Sequence, residues 1–84
     1  MMRAPLGDEE LQEIESRCRA TTPGPWKSWL EGRDRMSGSS FIETGGEDIY
    51  LIGASESDQE LIAHAKQDVE LLIETIRLLK NANR

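Results

Sequence analysis

Residues 57–79 read SDQELIAHAKQDVELLIETIRLL, and this stretch decides the fold of the 84-residue chain. Ser57 and Glu60 form an S-x-x-E capping box, which begins a helix, and the apolar periodicity predicts that the helix spans 57–81. One apolar stripe repeats with spacings of 3, 4, 3, 4 and 3, which is an a/d heptad seam. Its members are Ile62, Ala65, Val69, Leu72, Ile76 and Leu79.

A shorter helix and a β-rich segment precede the long helix. Asp8 can cap a helix over 8–20, and Pro23 ends it because the residue before a proline avoids the helical region. After this corner the apolar period changes to two, which predicts three short strands, at 26–31, 39–44 and 47–53. The chain is therefore expected to be one α+β domain, 1–84, with the order α-β-β-β-α and a three-stranded antiparallel meander.

Two glycines, Gly45 and Gly46, separate the last two predicted strands. A two-residue loop of this composition suits a type I′ hairpin turn, which requires positive φ at both glycines. Such a turn pairs Ile42 with Ile49 and places alternate residues on opposite faces of the sheet. One face then carries Ile42, Ile49 and Leu51, and the other carries Trp29, Phe41, Glu43, Asp48, Tyr50 and Ile52.

The corner between the first helix and the sheet reads TTPGPW over 21–26. An irregular corner leaves backbone N–H groups that need partners. Asp68 lies beside the stripe of the long helix that faces the sheet, so we expect its carboxylate to accept these hydrogen bonds. Trp26 is expected to point inward and lock the corner against the long helix.

Composition limits the classes of function. The net charge of −6 disfavours general nucleic-acid binding, which needs phosphate neutralisation by Lys and Arg. A single cysteine favours a reducing cytoplasm, and no apolar run approaches the ~20 residues that cross a bilayer. The start, MMRAPLGDEE, lacks the apolar core of a signal peptide. We therefore expect a cytoplasmic protein that does not bind membranes.

Catalytic and metal-binding constellations are sparse. The one histidine, His64, lies four residues from both Glu60 and Asp68, but a metal usually needs a third strong ligand and a second histidine. Charge pairing on the helix surface, between His64 and these two carboxylates, explains the spacing. Cys18 lies on the apolar stripe of the first helix, which is typical of a buried, inert thiol. The sequence therefore predicts no catalytic residue, no metal site, no cofactor and no enzymatic activity.

The lengths of the two helices predict self-association. The long helix would extend about 36 Å and the first helix only about 20 Å. A short helix and a small sheet cannot cover so wide an apolar surface, and a second copy is the simplest partner. The predicted homodimer or higher oligomer uses Ile62, Val69, Leu72, Ile76 and Leu79. The alternative is that the first helix and the N-terminal segment cover the seam.

Two segments of the chain, 11–26 and 57–79, resemble a group of small phage- and prophage-associated proteins. The group's pattern is a first helix ending in A-T-P-G-P-W and, later, D-x-x-F-I-A-x-A-R-x-D-V-x-x-L-L. The matching positions are 22–26, Asp58, Ile62, Ala63, Ala65, Asp68, Val69 and Leu72. Leu61 replaces the pattern's Phe and Lys66 its Arg. The resemblance implies a bacterial host, a phage-linked context and a recurring scaffold without known enzymatic activity.

Two functions are compatible with these features. Aromatic rings can stack on a nucleobase while Arg and Lys hold phosphate. The sequence thus predicts a non-catalytic protein that binds or sequesters a small anionic, nucleotide-like ligand, as some small phage proteins do. The predicted site comprises Trp29, Arg33, Arg35, Phe41 and Tyr50. The same sheet face can instead be covered by a second subunit or by the first helix. The alternative function is a protein-interaction module that modulates a host or phage protein.

Overall fold

The computed structural model of the chain describes residues 6–34 and 39–82. The chain has an α+β fold with a long C-terminal helix, as predicted, but the sheet formed by the described residues has two strands. The predicted three-stranded meander is therefore wrong. The four elements in chain order are α1 (Asp8–Ala20), β1 (Lys27–Trp29), β2 (Phe41–Glu43) and α2 (Glu56–Ala82).

Both helices begin with capping interactions that differ from those predicted. Gly7, and not Asp8, is the N-cap of α1, and its N–H donates to Glu10 Oε1 at 3.3 Å. At α2 the capping box lies two residues earlier than predicted. The N–H of Asp58 donates to Ser55 Oγ and the N–H of Ser55 donates to Asp58 Oδ2, both at 3.0 Å. The shifted box starts α2 at Glu56.

The sheet is antiparallel and short. Its register sets Ser28 opposite Ile42 and Trp29 opposite Phe41. The predicted third strand contributes only an isolated bridge, in which Ile42 and Ile49 exchange both backbone hydrogen bonds at 2.9 Å. The predicted pairing of these two isoleucines is confirmed. The ladder does not continue because Gly53, at φ 85°, turns the chain toward α2.

The turn that precedes this bridge is not type I′. Among the described glycines, only Gly32 and Gly53 have positive φ, so Gly45 and Gly46 lack the predicted conformation. The Thr44 hydroxyl closes the turn instead: it accepts from the N–H of Gly46 and donates to the carbonyl of Glu47, both at 2.9 Å. Glycine at position 45 is required by close approach, since a Cβ there would lie 2.7 Å from the carbonyl oxygen of Pro23.

The corner over 21–26 is held by a glutamine of α2. Gln67 Oε1 accepts from the N–H of Trp26 at 2.8 Å, and its Nε2 donates to the Trp26 carbonyl at 3.1 Å. The prediction assigned this role to Asp68, which is exposed in the structure. The Trp26 indole is half-buried and donates to the Thr22 carbonyl at 2.9 Å. A side chain of α2 thus accepts a backbone hydrogen bond from the corner, as expected, but the side chain is Gln67 and not the adjacent Asp68.

A second buried glutamine attaches α2 to the sheet. Gln59 Nε2 donates to Ser28 Oγ at 2.9 Å and to the carbonyls of Trp29 and Phe41 at 3.2 Å. It thereby contacts both strands. The buried apolar core beside it is small and consists of Leu11, Leu30, Ile42, Ala63 and Ile73.

Candidate functional site

One side of the sheet forms an aromatic face, defined by Lys27, Trp29, Phe41, Glu43 and Tyr50. Lys27 Nζ lies 4.1 Å from the centroid of the Trp29 ring, and Trp29 Nε1 donates to Glu43 Oε1 at 3.1 Å. The rings of Phe41 and Tyr50 lie 5.7 Å apart between centroids. The structure thus brings together the three aromatic residues of the predicted site.

The cation of this face is Lys27, which lies opposite Glu43 in the strand register. Lys27 is held over an aromatic ring, an arrangement that stabilises its charge by about 0.5–1 kcal/mol at an exposed site. The aromatic face therefore has a positive charge at one edge. That charge, on Lys27, already has a neighbouring carboxylate, that of Glu43.

Arg33, a second predicted site residue, lies in a separate cluster. Its guanidinium binds both carboxylate oxygens of Asp34, a carboxylate oxygen of Glu60 and the carbonyl of Ser28. Because Glu60 belongs to α2, the Arg33 guanidinium contacts the helix that packs behind the sheet. Two carboxylates already match its charge, which makes it a poor ligand for an added phosphate. Arg35, the remaining predicted residue, lies outside the described residues.

The same cluster shifts the pKa values of its members. Hydrogen bonds from Arg33 and from the backbone of Leu30 lower the pKa of the Asp34 carboxyl. Hydrogen bonds from Ser28 and Arg33 lower the pKa of the Glu60 carboxyl, and the two carboxylates raise the pKa of Arg33. All three shifts favour the charged forms. The cluster attaches the turn after β1 to the first turns of α2.

The most extensive exposed apolar surface lies on α2. The α2 seam, defined by Ile62, Ala65, Val69, Leu72, Ile76 and Leu79, is half-buried at Ala65, Val69 and Ile76 and exposed at its other positions. The buried positions Gln59, Ala63 and Ile73 recur on one helical face, and the seam lies about a third of a turn from them at ~100° per residue. The described part of α1 therefore covers the seam only in part.

A groove of about 310 Å³ runs between α1 and α2 beside the first half of the seam. We call this the helix groove; its apolar walls are Ile14, Cys18, Trp26, Ile62, Ala65 and Val69. Lys66 lies at its floor with only 7% of its side chain exposed. Its ammonium donates to the Cys18 carbonyl at 3.0 Å and to Glu70 Oε2 at 2.9 Å, so its charge is satisfied. The groove consequently presents an apolar surface next to the seam.

The described residues contain no group of three His, Cys, Asp or Glu side chains that could hold a metal ion. His64 is exposed, and Cys18 is half-buried in the helix groove. Across 6–34 and 39–82, no helix has the length and apolar character needed to cross a membrane.

Comparison of the chain with protein-family models, with curated proteins and with solved structures gave no match. The resemblance to small phage-associated proteins thus rests on the two motifs alone and stays a prediction.

The two glutamines were the principal residues that sequence reasoning missed. Gln59 and Gln67 lie eight residues apart, with Ala63 between them, so all three share one helical face. A face with a small residue between two long amides permits close approach of a neighbouring backbone. That spacing marks a candidate packing face of α2, and the structure shows that this face is used.

Proposed function

We propose that this protein is a non-catalytic interaction module, and that the α2 seam with the helix groove is its binding surface. The supporting observation is the exposure of large apolar side chains along a helix whose packed face lies about a third of a turn from the seam. The exposed large apolar side chains of α2 are Leu61, Ile62, Leu71, Leu72, Leu78 and Leu79.

Burial of this surface by a partner would be favourable. Covering a leucine that is 59% exposed, such as Leu72, removes more than half of its side-chain surface from water. Each such burial contributes about 1 kcal/mol or more. Contiguous exposed apolar surface of this extent is typical of protein-binding sites. The seam supplies apolar anchors, and the groove supplies a concave surface beside them.

The resemblance to phage-associated proteins supports the same function. The segment 57–72, which carries most of that resemblance, also contains the first half of the seam. We favour a non-catalytic role because His64 is exposed on α2 and does not line the helix groove in which Cys18 lies. We infer that the module acts by binding protein through this surface, in a bacterial host.

A photo-crosslinking experiment in cells tests this proposal. A benzophenone amino acid replaces Leu72 on the seam, and a matched variant carries it at Glu13, an exposed position of α1. The expected result is a covalent adduct from position 72, identified by peptide mass spectrometry, with no adduct from position 13. Equal adducts at the two positions, or none at position 72 in a folded protein, would overturn the proposal.

A second function, binding of a small anionic, nucleotide-like ligand, is favoured by the aromatic face. Tyr50 is 60% exposed beside Phe41, and Lys27 is held over Trp29, so a ring platform and a cation are adjacent. These are the groups that stack on a base and attract a phosphate. The pairing of Arg33 with Asp34 and Glu60 removes one predicted anion ligand, so we rank this function second.

Thermal unfolding in the presence of a nucleotide panel tests the second function. A ligand that binds only the folded protein raises Tm by linkage. The Trp29→Ala variant should lose the shift, and Trp26→Phe, which alters the tryptophan of the helix groove, should keep it. No shift with any nucleotide, or an equal shift in the Trp29→Ala variant, excludes a nucleotide site on this face.

A further inference from the structure

We infer that the partner on the α2 seam is a second copy of this chain, and that the two α2 helices pair antiparallel about a twofold axis between residues 70 and 71. This inference rests on the proposed function of the seam as a binding surface. It adds the identity of the partner and the relative direction of the two paired helices.

The heptad spacing of the seam makes it complementary to itself. In an antiparallel pair each a position packs against a d position of the other helix. Val69 then lies opposite Leu72 of the other copy, Ala65 opposite Ile76, and Ile62 opposite Leu79. Every seam residue gains an apolar partner in this arrangement. The seam covers 62–79, about 26 Å of helix, and is centred between residues 70 and 71.

Charge decides between the two directions of pairing. The first half of α2, 56–69, contains four acidic residues and one lysine, a net charge of −3. The second half, 70–82, contains two acidic and two basic residues, a net charge of 0. Parallel pairing would place the two −3 halves side by side, whereas antiparallel pairing places each against a neutral half. Like charges at short range oppose the parallel direction.

Asp58 gives a more local reason for the same direction. It lies four residues before Ile62 and therefore continues the line of the seam. Parallel pairing would bring the two Asp58 carboxylates together at a d position. Antiparallel pairing sets each Asp58 past residue 82 of the other helix, near its negative C-terminal end but away from an opposing carboxylate. Antiparallel helix dipoles are also favourable.

The helix groove extends this interface beyond two helices. Because the groove adjoins Ile62 and Val69, the second half of the other copy's seam lies against it in the antiparallel arrangement. Cys18 and Ile14 of α1 then contact the incoming helix. The two α1 helices flank the central α2 pair, which gives a four-helix arrangement.

Leu71 and Leu72 provide a matched pair of variants. Both are leucines with similar exposure, 62% and 59%, but Leu71 lies ~100° around the helix from Leu72 and outside the seam. We expect light scattering after size exclusion to give twice the 9.5 kDa chain mass for the natural protein and for Leu71→Glu. Leu72→Glu should give the monomer mass. A monomeric natural protein at high concentration, or equal dissociation of both variants, would overturn the inference.

A distance measurement tests the direction. A spin label is attached at Ser57→Cys in a Cys18→Ser background, after circular dichroism has shown that the variant is folded. Antiparallel pairing predicts that the two labelled positions lie about 40 Å apart along the helix axes. Parallel pairing would place them at about the interhelical distance of 10 Å and would overturn the antiparallel assignment.

The outcomes separate the inference from the proposed function. If the natural protein is monomeric while position 72 cross-links to a different, identified protein, the proposed function stands and the second copy is excluded. If position 72 forms no adduct and the protein is monomeric, both fail.

Discussion

The two long faces of α2 differ in the opposite sense from an ordinary amphipathic helix. The face toward its own chain buries Ala63 and Ile73, but it also carries Gln59, Lys66 and Gln67, whose polar groups bind mainly backbone carbonyls and amides. The face away from its own chain carries the exposed leucines. A surface helix usually directs apolar residues inward and polar residues outward.

The inward face is polar because the elements that it contacts are irregular. A two-stranded sheet and a proline-containing corner leave backbone groups that no β-ladder pairs. Glutamine amides can reach and satisfy them, whereas leucines would leave them without partners. The comparison separates the face of α2 that packs against its own chain from the surface that we propose to bind a partner. Four experiments test this separation, from the largest expected effect to the smallest.

The largest effect is expected on the outward face. Leu72→Glu places a carboxylate in the centre of the proposed apolar interface and should weaken dimerisation by more than about 100-fold, since an unpaired buried charge costs several kcal/mol. Analytical ultracentrifugation over a concentration series measures the dissociation constant. Leu71→Glu should change it by less than about threefold, since exposed substitutions have small effects. Comparable losses of affinity in the two variants would show that the seam is no more important for dimerisation than the neighbouring surface of α2.

The inward face should respond to Gln59→Ala. The substitution removes the amide that binds both strands and leaves the buried Ser28 hydroxyl and two carbonyls short of a donor. We expect the free energy of unfolding to fall by about 2 kcal/mol, measured by urea titration at fixed protein concentration. The control is Gln12→Ala, at an exposed glutamine of α1. If both variants lose the same stability, Gln59 is not a specific attachment of α2.

The reactivity of the Cys18 thiol reports whether a partner covers the helix groove. Cys18, the only cysteine, lines the helix groove that the proposed partner covers. Its thiol should react severalfold more slowly with a disulfide reagent in the dimeric protein than in Leu72→Glu, because the covering helix limits access. Leu71→Glu should retain the slow rate. Identical rates in all three proteins would place the partner away from the groove.

The smallest effect is a pH dependence of the turn after β1. The pKa values of Asp34 and Glu60 are lowered in the folded chain, from ordinary values of 3.8 and 4.5, by hydrogen bonds with Arg33 and Ser28. Groups of this kind contribute stability above their unfolded pKa values and lose it as pH falls through the lowered folded values.

Amide exchange measures that loss. We expect protection of the Leu30 N–H, which donates to Asp34 Oδ2 at 2.7 Å, to be constant above pH 5, after correction for intrinsic exchange, and to decline below about pH 4. The Arg33→Gln variant should begin to lose protection at higher pH, because the pKa of each carboxyl returns toward its ordinary value. An unchanged pH profile in this variant would show that Arg33 does not stabilise the turn.

Local patterns allowed part of the fold to be predicted. The bounds 8–20 of α1 and the pairing of Ile42 with Ile49 follow from periodicity and hairpin length, which involve residues close in sequence. The aromatic members of the predicted ligand site also meet, because alternate strand residues share a face. The third strand failed because the Thr44 side chain closes the turn and Gly53 redirects the chain.

The pairing of Arg33, a charged member of that site, depends in part on a distant residue. Arg33 is paired with the adjacent Asp34 and with Glu60, 27 residues later, so the sequence near Arg33 shows only one of its two carboxylate partners. The partner of the corner, Gln67 in place of Asp68, depends on the rotation of α2 about its axis. A rotation of one residue, ~100°, decides which side chain faces the corner.

The sequence by itself determined the two helices, their approximate lengths and the heptad seam, because apolar periodicity acts over a few residues. The tertiary structure alone decided which face of α2 packs against its own chain. That choice is made by backbone groups of the sheet and the corner, which need amide partners and become neighbours of Gln59 and Gln67 only when the chain is folded. The seam is left exposed as the physical consequence of that choice.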